Sequence, residues 1–203
     1  MKRFLMLLMV CVLLVPTMVV VGQGGDELTQ TYTTEDGSLT FGYPDGWFVN
    51  IDEEDESISV SNVEELTSDI GEAMLSGQVS INVGVGSPED FADDGFALPM
   101  NASAEFMAGF WTGLYSIAFA FTAGFSDEPS PEIVISEVEH MELNGENAAI
   151  VQIDLEDAQS VLIITMPSTE MSIRTLIVVT AYGEMDDYHD IAVAMMESVE
   201  FTP

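Results

Sequence analysis

Beyond residue 22 this chain has no cysteine, no lysine and a single arginine, Arg174. Each absence excludes something. Without cysteine there is no disulfide, so an exported product depends on its hydrophobic core alone. Thiol catalysis goes with it, and the lack of lysine removes Schiff-base chemistry. Without basic patches, nucleic acid and anionic membrane surfaces are excluded as electrostatic partners. Several catalytic signatures are also missing: a Gly-x-Ser-x-Gly elbow, Asp-Thr-Gly or Asp-Ser-Gly, a phosphate loop and His-Glu-x-x-His.

What the chain has instead is acid. There are 36 Asp and Glu against 3 Lys and Arg, a formal charge of −33. Such a surface repels itself, and salt, an acidic medium or bound divalent cations would each relieve it. The length of 203 residues suits one domain with a sizeable core.

Lys2 and Arg3 precede an apolar run from Phe4 to Val21, which ends in Val20-Val21-Gly22 before Gln23. A basic start, an apolar stretch and short residues at its end read as a secretory signal. The run is also long enough for an uncleaved anchor, and Pro16 favours the signal. Cys11 lies deep in the run behind Val10, where a lipoprotein site wants a small residue. The expected organisation is a signal peptide over 1–22, a flexible segment over 23–30 and one domain over 31–203.

Glu35-Asp36-Gly37 reads as a turn and Leu39 to Tyr43 as a strand. Pro44 ends the ladder and Asp45-Gly46 completes a turn. Trp47, Val49 and Ile51 then share one face of the next strand. Ser57 to Ser61 alternates again. Asn62, with Glu65 three positions on, reads as the cap of a helix whose stripe is Val63, Leu66, Ile70 and Met74. Gly77 closes that helix. In Gln78 to Val85 the residues Val79, Ile81, Val83 and Val85 face the core while Gln78, Ser80 and Asn82 face out. Asn101 caps a long helix with Phe106, Phe110, Leu114, Ile117 and Phe121 as its core stripe. No charge occurs from Phe106 to Phe125, so this helix is either buried or in a membrane. Strands on both sides of it in sequence favour burial, and Gly109 with Gly113 forms a small-xxx-small pair. A long strand from Ile133 to Leu143, the Asn144-Gly145 hairpin turn and strands over 148–155, 161–166 and 172–181 form a meander. A last helix has Tyr188, Ile191, Ala192, Met195 and Val199 as its core face.

The candidate sites are acidic. Asp52, Glu53 and Asp55 in one loop, and Asp90, Asp93 and Asp94 in another, offer oxygen ligands for calcium. Neither loop has the spacing of an EF-hand, and a solvated loop accounts for both. His140 lies among Glu137, Glu139 and Glu142, and His189 beside Asp186, Asp187 and Asp190. Each reads as a surface histidine. Arg174 reads as the structural partner of a carboxylate, with orientation of an anionic ligand as the alternative. A carboxylate pair for glycoside hydrolysis stays open, because sequence gives no separations.

Three stretches in order, Phe41-x-Tyr43-Pro44-x-Gly46-Trp47, Leu143-Asn144-Gly145-Glu146-Asn147-Ala148-Ala149 and Ser198-Val199-Glu200-Phe201, make the chain resemble the PsbP/DcrB-type exported proteins over residues 31–203. The resemblance implies an α+β fold in which a central antiparallel β-sheet is flanked by helices on both faces. That fold also serves a Ran-binding import factor and has no catalytic centre common to its members. The expected function is an exported, non-enzymatic binding or accessory module of the cell envelope, without a cofactor. The alternatives are a calcium-dependent binding module, a carboxylate-dependent hydrolase, and membrane attachment through Phe106 to Phe125 or an uncleaved leader. Partner and oligomeric state stay open.

Overall fold

The structure, a computed structural model, describes residues 27–52, 57–64, 66, 74–87, 99, 102–123, 133–166 and 172–202, with side chains to residue 117 in the long helix. The chain forms two antiparallel sheets rather than one. The smaller has the order β1 (Leu28–Thr33), β2 (Leu39–Pro44) and β11 (Glu200–Phe201). The larger runs β3 (Phe48–Asp52), β4 (Ser57–Ser61), β5 (Val79–Gly86), β10 (Ile173–Ala181), β9 (Ala158–Thr165), β8 (Glu146–Asp154) and β6 (Val134–Ile135). β7 (Glu139–Leu143) also pairs with β8. The Pro44–Trp47 turn therefore carries the chain from one sheet into the other. Gly46 supplies the left-handed residue, with φ +79°.

β1 begins at Leu28, inside the segment expected to be flexible, because Leu28 pairs with Pro44 and packs on the core. β10 is central, paired along its length with β5 and β9. Every residue of β9 is buried, so a continuous apolar run did mark a strand covered on both faces. The expected strand from Ile133 to Leu143 divides into β6 and β7. Between them Ser136 takes over the pairing: its N–H donates to the Gln152 carbonyl at 2.9 Å, and its Oγ accepts from the Gln152 N–H at 2.9 Å.

Two core clusters take alternate residues of the same strands. One contains Val161, Ile163, Leu176 and Val178, with Phe41 from β2 and Ile191, Ala192 and Met195 from α2 (His189–Ser198). The other contains Leu162, Ile164, Ala149 and Val151, with Ala104, Met107 and Ala108 from α1 (Ala104–Ala123).

The buried stripe of α1 differs from the one expected. It is Ala104, Met107, Ala108 and Thr112, while Phe106 is 46% and Ile117 67% exposed. Ala104, Met107 and Ala108 pack in one cluster with Ala149 and Val151, and Phe110 of the expected stripe is partly buried against it. Gly109 and Gly113 face open space. The helix is capped by Ser103, whose Oγ accepts from the Phe106 N–H at 3.2 Å, and Asn101, the cap expected, lies outside the described residues. No helix among the described residues is long and apolar enough to cross a membrane. Residues 124 and 125, the end of the Phe106 to Phe125 stretch, lie outside the described residues.

Trp47 is half-buried in the cluster of α2 and meets the Tyr188 ring edge-on at 6.4 Å. Ser80 is fully buried rather than outward. It lies in a row with Ser61, Val179 and Ser160 across four strands.

Candidate functional site

The acidic loops bear little on what the described residues can show. Asp52 is the exposed last residue of β3, opposite Ser57. Glu53, Asp55, Asp90, Asp93 and Asp94 lie outside the described residues. Among the described residues no three His, Cys, Asp or Glu gather as a metal ion requires. His189 is exposed, with Nδ1 3.4 Å from Asp190 Oδ1. His140 is exposed on β7, and its Nδ1 lies 2.8 Å from Glu105 Oε1 in the first turn of α1. Hydrogen bonds from Ser103, its own backbone and His140 hold the Glu105 carboxyl below its usual range. This pair ties a helix N-terminus to a strand.

Arg174 is structural in a way the sequence did not indicate. Its Nη1 donates to the Val199 carbonyl at 2.7 Å, just past the end of α2. The three stretches that carried the family resemblance meet at the same place. The Ser198 Oγ donates to the Met195 carbonyl at 2.7 Å and accepts from the Gly42 N–H at 2.8 Å. Asn144 Nδ2 donates to the Glu197 carbonyl at 2.8 Å. Glu200 and Phe201 pair with Thr40 and Leu39. A Cβ at Gly42 would crowd this approach, lying 3.2 Å from Leu28 Cδ1 and 3.4 Å from Ser198 Oγ. Asn144 and Gly145 have φ of 53° and 80°, as a two-residue hairpin turn demands. The terminal carbonyls of α2 are thus satisfied by side chains from a turn, a strand and the helix itself.

A second knot closes around Gly77. Asn62, expected as a helix cap, instead donates Nδ2 to the Gly77 carbonyl at 2.6 Å and accepts the Val79 N–H on Oδ1 at 3.0 Å. Tyr188 donates its hydroxyl to the same carbonyl at 3.1 Å. Glu184 accepts the Gly77 N–H at 2.7 Å and bonds the Ser76 hydroxyl, and these bonds lower its pKa. The helix expected after Asn62 falls largely on residues outside those described.

Between the two sheets lies a cleft of about 650 Å³ with room for a ligand. It is lined by the Thr34–Leu39 turn, Phe201 of β11, Ser57 and Ile58 of β4, Asn82–Val85 of β5, and Thr175 and Ile177 of β10. Gly84 leaves room for Thr175 here, whose Oγ1 would have to shift from a Cβ standing 2.5 Å away. Sequence reading marked Glu35-Asp36-Gly37 as a turn. It missed Ser57, Asn82 and Thr175, which look like ordinary strand positions until the sheets meet.

Asp36 organises the rim. Its Oδ1 accepts from Thr34 Oγ1 at 2.6 Å, Ser38 Oγ at 2.8 Å and the Ser38 N–H at 3.0 Å. Those bonds favour the ionised form and lower its pKa from 3.8 to about 2. Asp36 therefore contributes stability that is complete above 3.8 and is lost as pH falls towards 2. Carbon-detected NMR titration is expected to give a midpoint near 2 for Asp36. Asp36→Asn should flatten the acid limb of the stability curve, and an ordinary midpoint would show the turn to be unbraced.

No protein-family model and no curated protein sequence matches the chain. Among solved structures it is similar to cyanobacterial PsbP from Synechocystis sp. PCC 6803, at 13% identity and a TM-score of 0.49, covering 89% of this chain and 96% of that one. It is similar to the Ran-binding protein Mog1p of Saccharomyces cerevisiae at 8% identity and 0.45, covering 86% and 96%. It is similar to LpqN of Mycobacterium tuberculosis, involved in cell envelope biogenesis, at 11% identity and 0.42, covering 93% and 100%. Likeness at this level describes the path of the chain and carries no ligand or activity with it.

Proposed function

We propose that this chain is an exported, non-enzymatic binding or accessory module of the cell envelope, and that its ligand enters the cleft between the two sheets. The cleft carries the reading. Its volume falls in the range of roughly 300–1,000 Å³ typical of small-molecule sites. Its lining mixes apolar strand residues with hydroxyl and carboxamide groups. Export rests on the basic and apolar residues 2–21. The sandwich architecture, with α1 and α2 layered on opposite faces of the larger sheet, rests on the alternation of Leu162 and Ile164 with Val161 and Ile163 between the two clusters.

The non-enzymatic reading has a specific support. None of the catalytic signatures sought in the sequence is present, and Asp36, Glu105 and Glu184 are held by hydrogen bonds that favour their ionised forms.

Two measurements test the proposal. N-terminal sequencing of the product from fractionated cells is expected to find a chain starting near Gln23 outside the cytoplasm. A cytoplasmic product that retains Lys2 and Arg3 overturns export. An NMR screen of small molecules is expected to move amide signals of Thr34–Leu39 and Asn82–Val85 together. Shifts scattered over the surface overturn the cleft as the site.

A further inference from the structure

We propose that the cleft takes a small organic cation, a primary ammonium on an apolar stem. This rests on the reading of the cleft as the binding site and adds the class of ligand.

Two kinds of surface meet in the cleft. The rim carries the carboxylates of Glu35 and Asp36, and no Lys, Arg or His lines it. Glu35 is exposed and makes no hydrogen bond with the described residues. Asp36 commits Oδ1 to all three of its hydrogen bonds, and Oδ2 accepts none of them. The Asn82 carboxamide is also without a partner among the described residues. Deeper in, Leu39, Ile58, Val83 and Phe201 offer an apolar wall.

The chemistry follows from comparing ligand charges. An anion meets two carboxylates at the rim and a chain of charge −33 behind them. A neutral ligand strips water from those carboxylates and returns no opposite charge. A bare metal ion leaves the apolar wall wet, and two carboxylates supply too few of the six to eight oxygens calcium takes. An ammonium on a hydrocarbon stem answers both surfaces: it donates to the carboxylates and the Asn82 oxygen, and its stem covers the wall.

The test uses n-hexylammonium, n-hexanol and hexanoate, which share a stem, titrated into the full mature chain by NMR at physiological ionic strength. Hexylammonium is expected to shift Thr34–Leu39 and Asn82–Val85 and to bind several-fold more tightly than the other two. Glu35→Gln should weaken it by about threefold, the size expected for an exposed ion pair. Glu142→Gln, which removes the same charge from exposed β7, should leave affinity unchanged. Ser57→Trp, at an exposed position on the mouth, should abolish binding. Hexanol binding at the same residues as tightly as hexylammonium overturns the cationic class and leaves the cleft standing as a site. Equal effects of Glu35→Gln and Glu142→Gln show attraction to the whole acidic surface and overturn the proposal. If no member of the series shifts these residues, the cleft itself is not the site and both readings fall.

Discussion

Phe41→Ala is expected to lower the free energy of unfolding by about 3–5 kcal/mol, the range for truncating a buried aromatic. A domain of this kind has only about 5–15 kcal/mol in total, so the variant sits near the edge of folding. Phe41 is fully buried, and its ring lies 5.4 Å from that of Tyr32 on the neighbouring strand. Its cluster is assembled from three separate elements: the small sheet, the large sheet at Ile163 and Leu176, and α2 at Met195. A cavity opened between three elements closes poorly, because no one of them can move without unpacking the others. Phe41→Leu keeps most of the volume and should cost about 1 kcal/mol. Urea unfolding of both variants checks the pair. A loss below about 1 kcal/mol for Phe41→Ala would mean that the small sheet hangs on the domain without sharing its core. The consequence reaches the cleft, since β2 continues directly into the Thr34–Leu39 rim through Leu39. Loosening Phe41 should therefore weaken ligand binding at temperatures where the large sheet still holds.

Much of the fold could be read in the sequence, where one residue pattern has one physical meaning. Val79, Ile81 and Val83 alternate and are buried in β5. The apolar run at Val161 to Thr165 is buried on both faces in β9. Asn144-Gly145 takes the left-handed geometry that pair was expected to take. Other features depend on what comes near from far along the chain. Phe41 and Trp47 look like neighbours on one hairpin, yet β2 pairs with β1 and β11 while β3 pairs with β4. No local pattern chooses a strand's partner. On α1 the expected stripe marked only part of the inside, since Ala104, Met107 and Ala108 share a cluster with Ala149 and Phe110 packs against it, while Phe106 and Ile117 stay outside. The cleft was invisible for the same reason. Asn82 and Thr175 are ordinary strand residues until the turn at Asp36 stands over them.

Asn62 shows how a familiar pattern can be put to other use. Asn-x-x-Glu before an apolar stripe suggests a helix cap, but the side chain braces a turn. Its carboxamide holds Gly77 by the carbonyl and β5 by the Val79 N–H. Tyr188 brings a second donor to that carbonyl from the far end of the chain. Asn62→Ala is expected to cost about 1–3 kcal/mol, because it leaves the Val79 N–H without its partner. Tyr188→Phe should cost about 1 kcal/mol alone, since Asn62 still serves the carbonyl. The double variant should cost more than the sum, by about 0.5–3 kcal/mol, because only there does the Gly77 carbonyl lose both donors. A pH series supplies an independent readout. Burial first, then the nearby Glu184 and Asp187 charges, raise the Tyr188 phenol above 10.0. Its contribution is complete below 10.0 and is lost as pH rises through the higher folded value. Tyr188→Phe should remove that alkaline loss, and Asn62→Ala should keep it. Strict additivity of the two substitutions would show that the carbonyl is not shared, and would leave the link between β5 and the start of α2 to Glu184 alone.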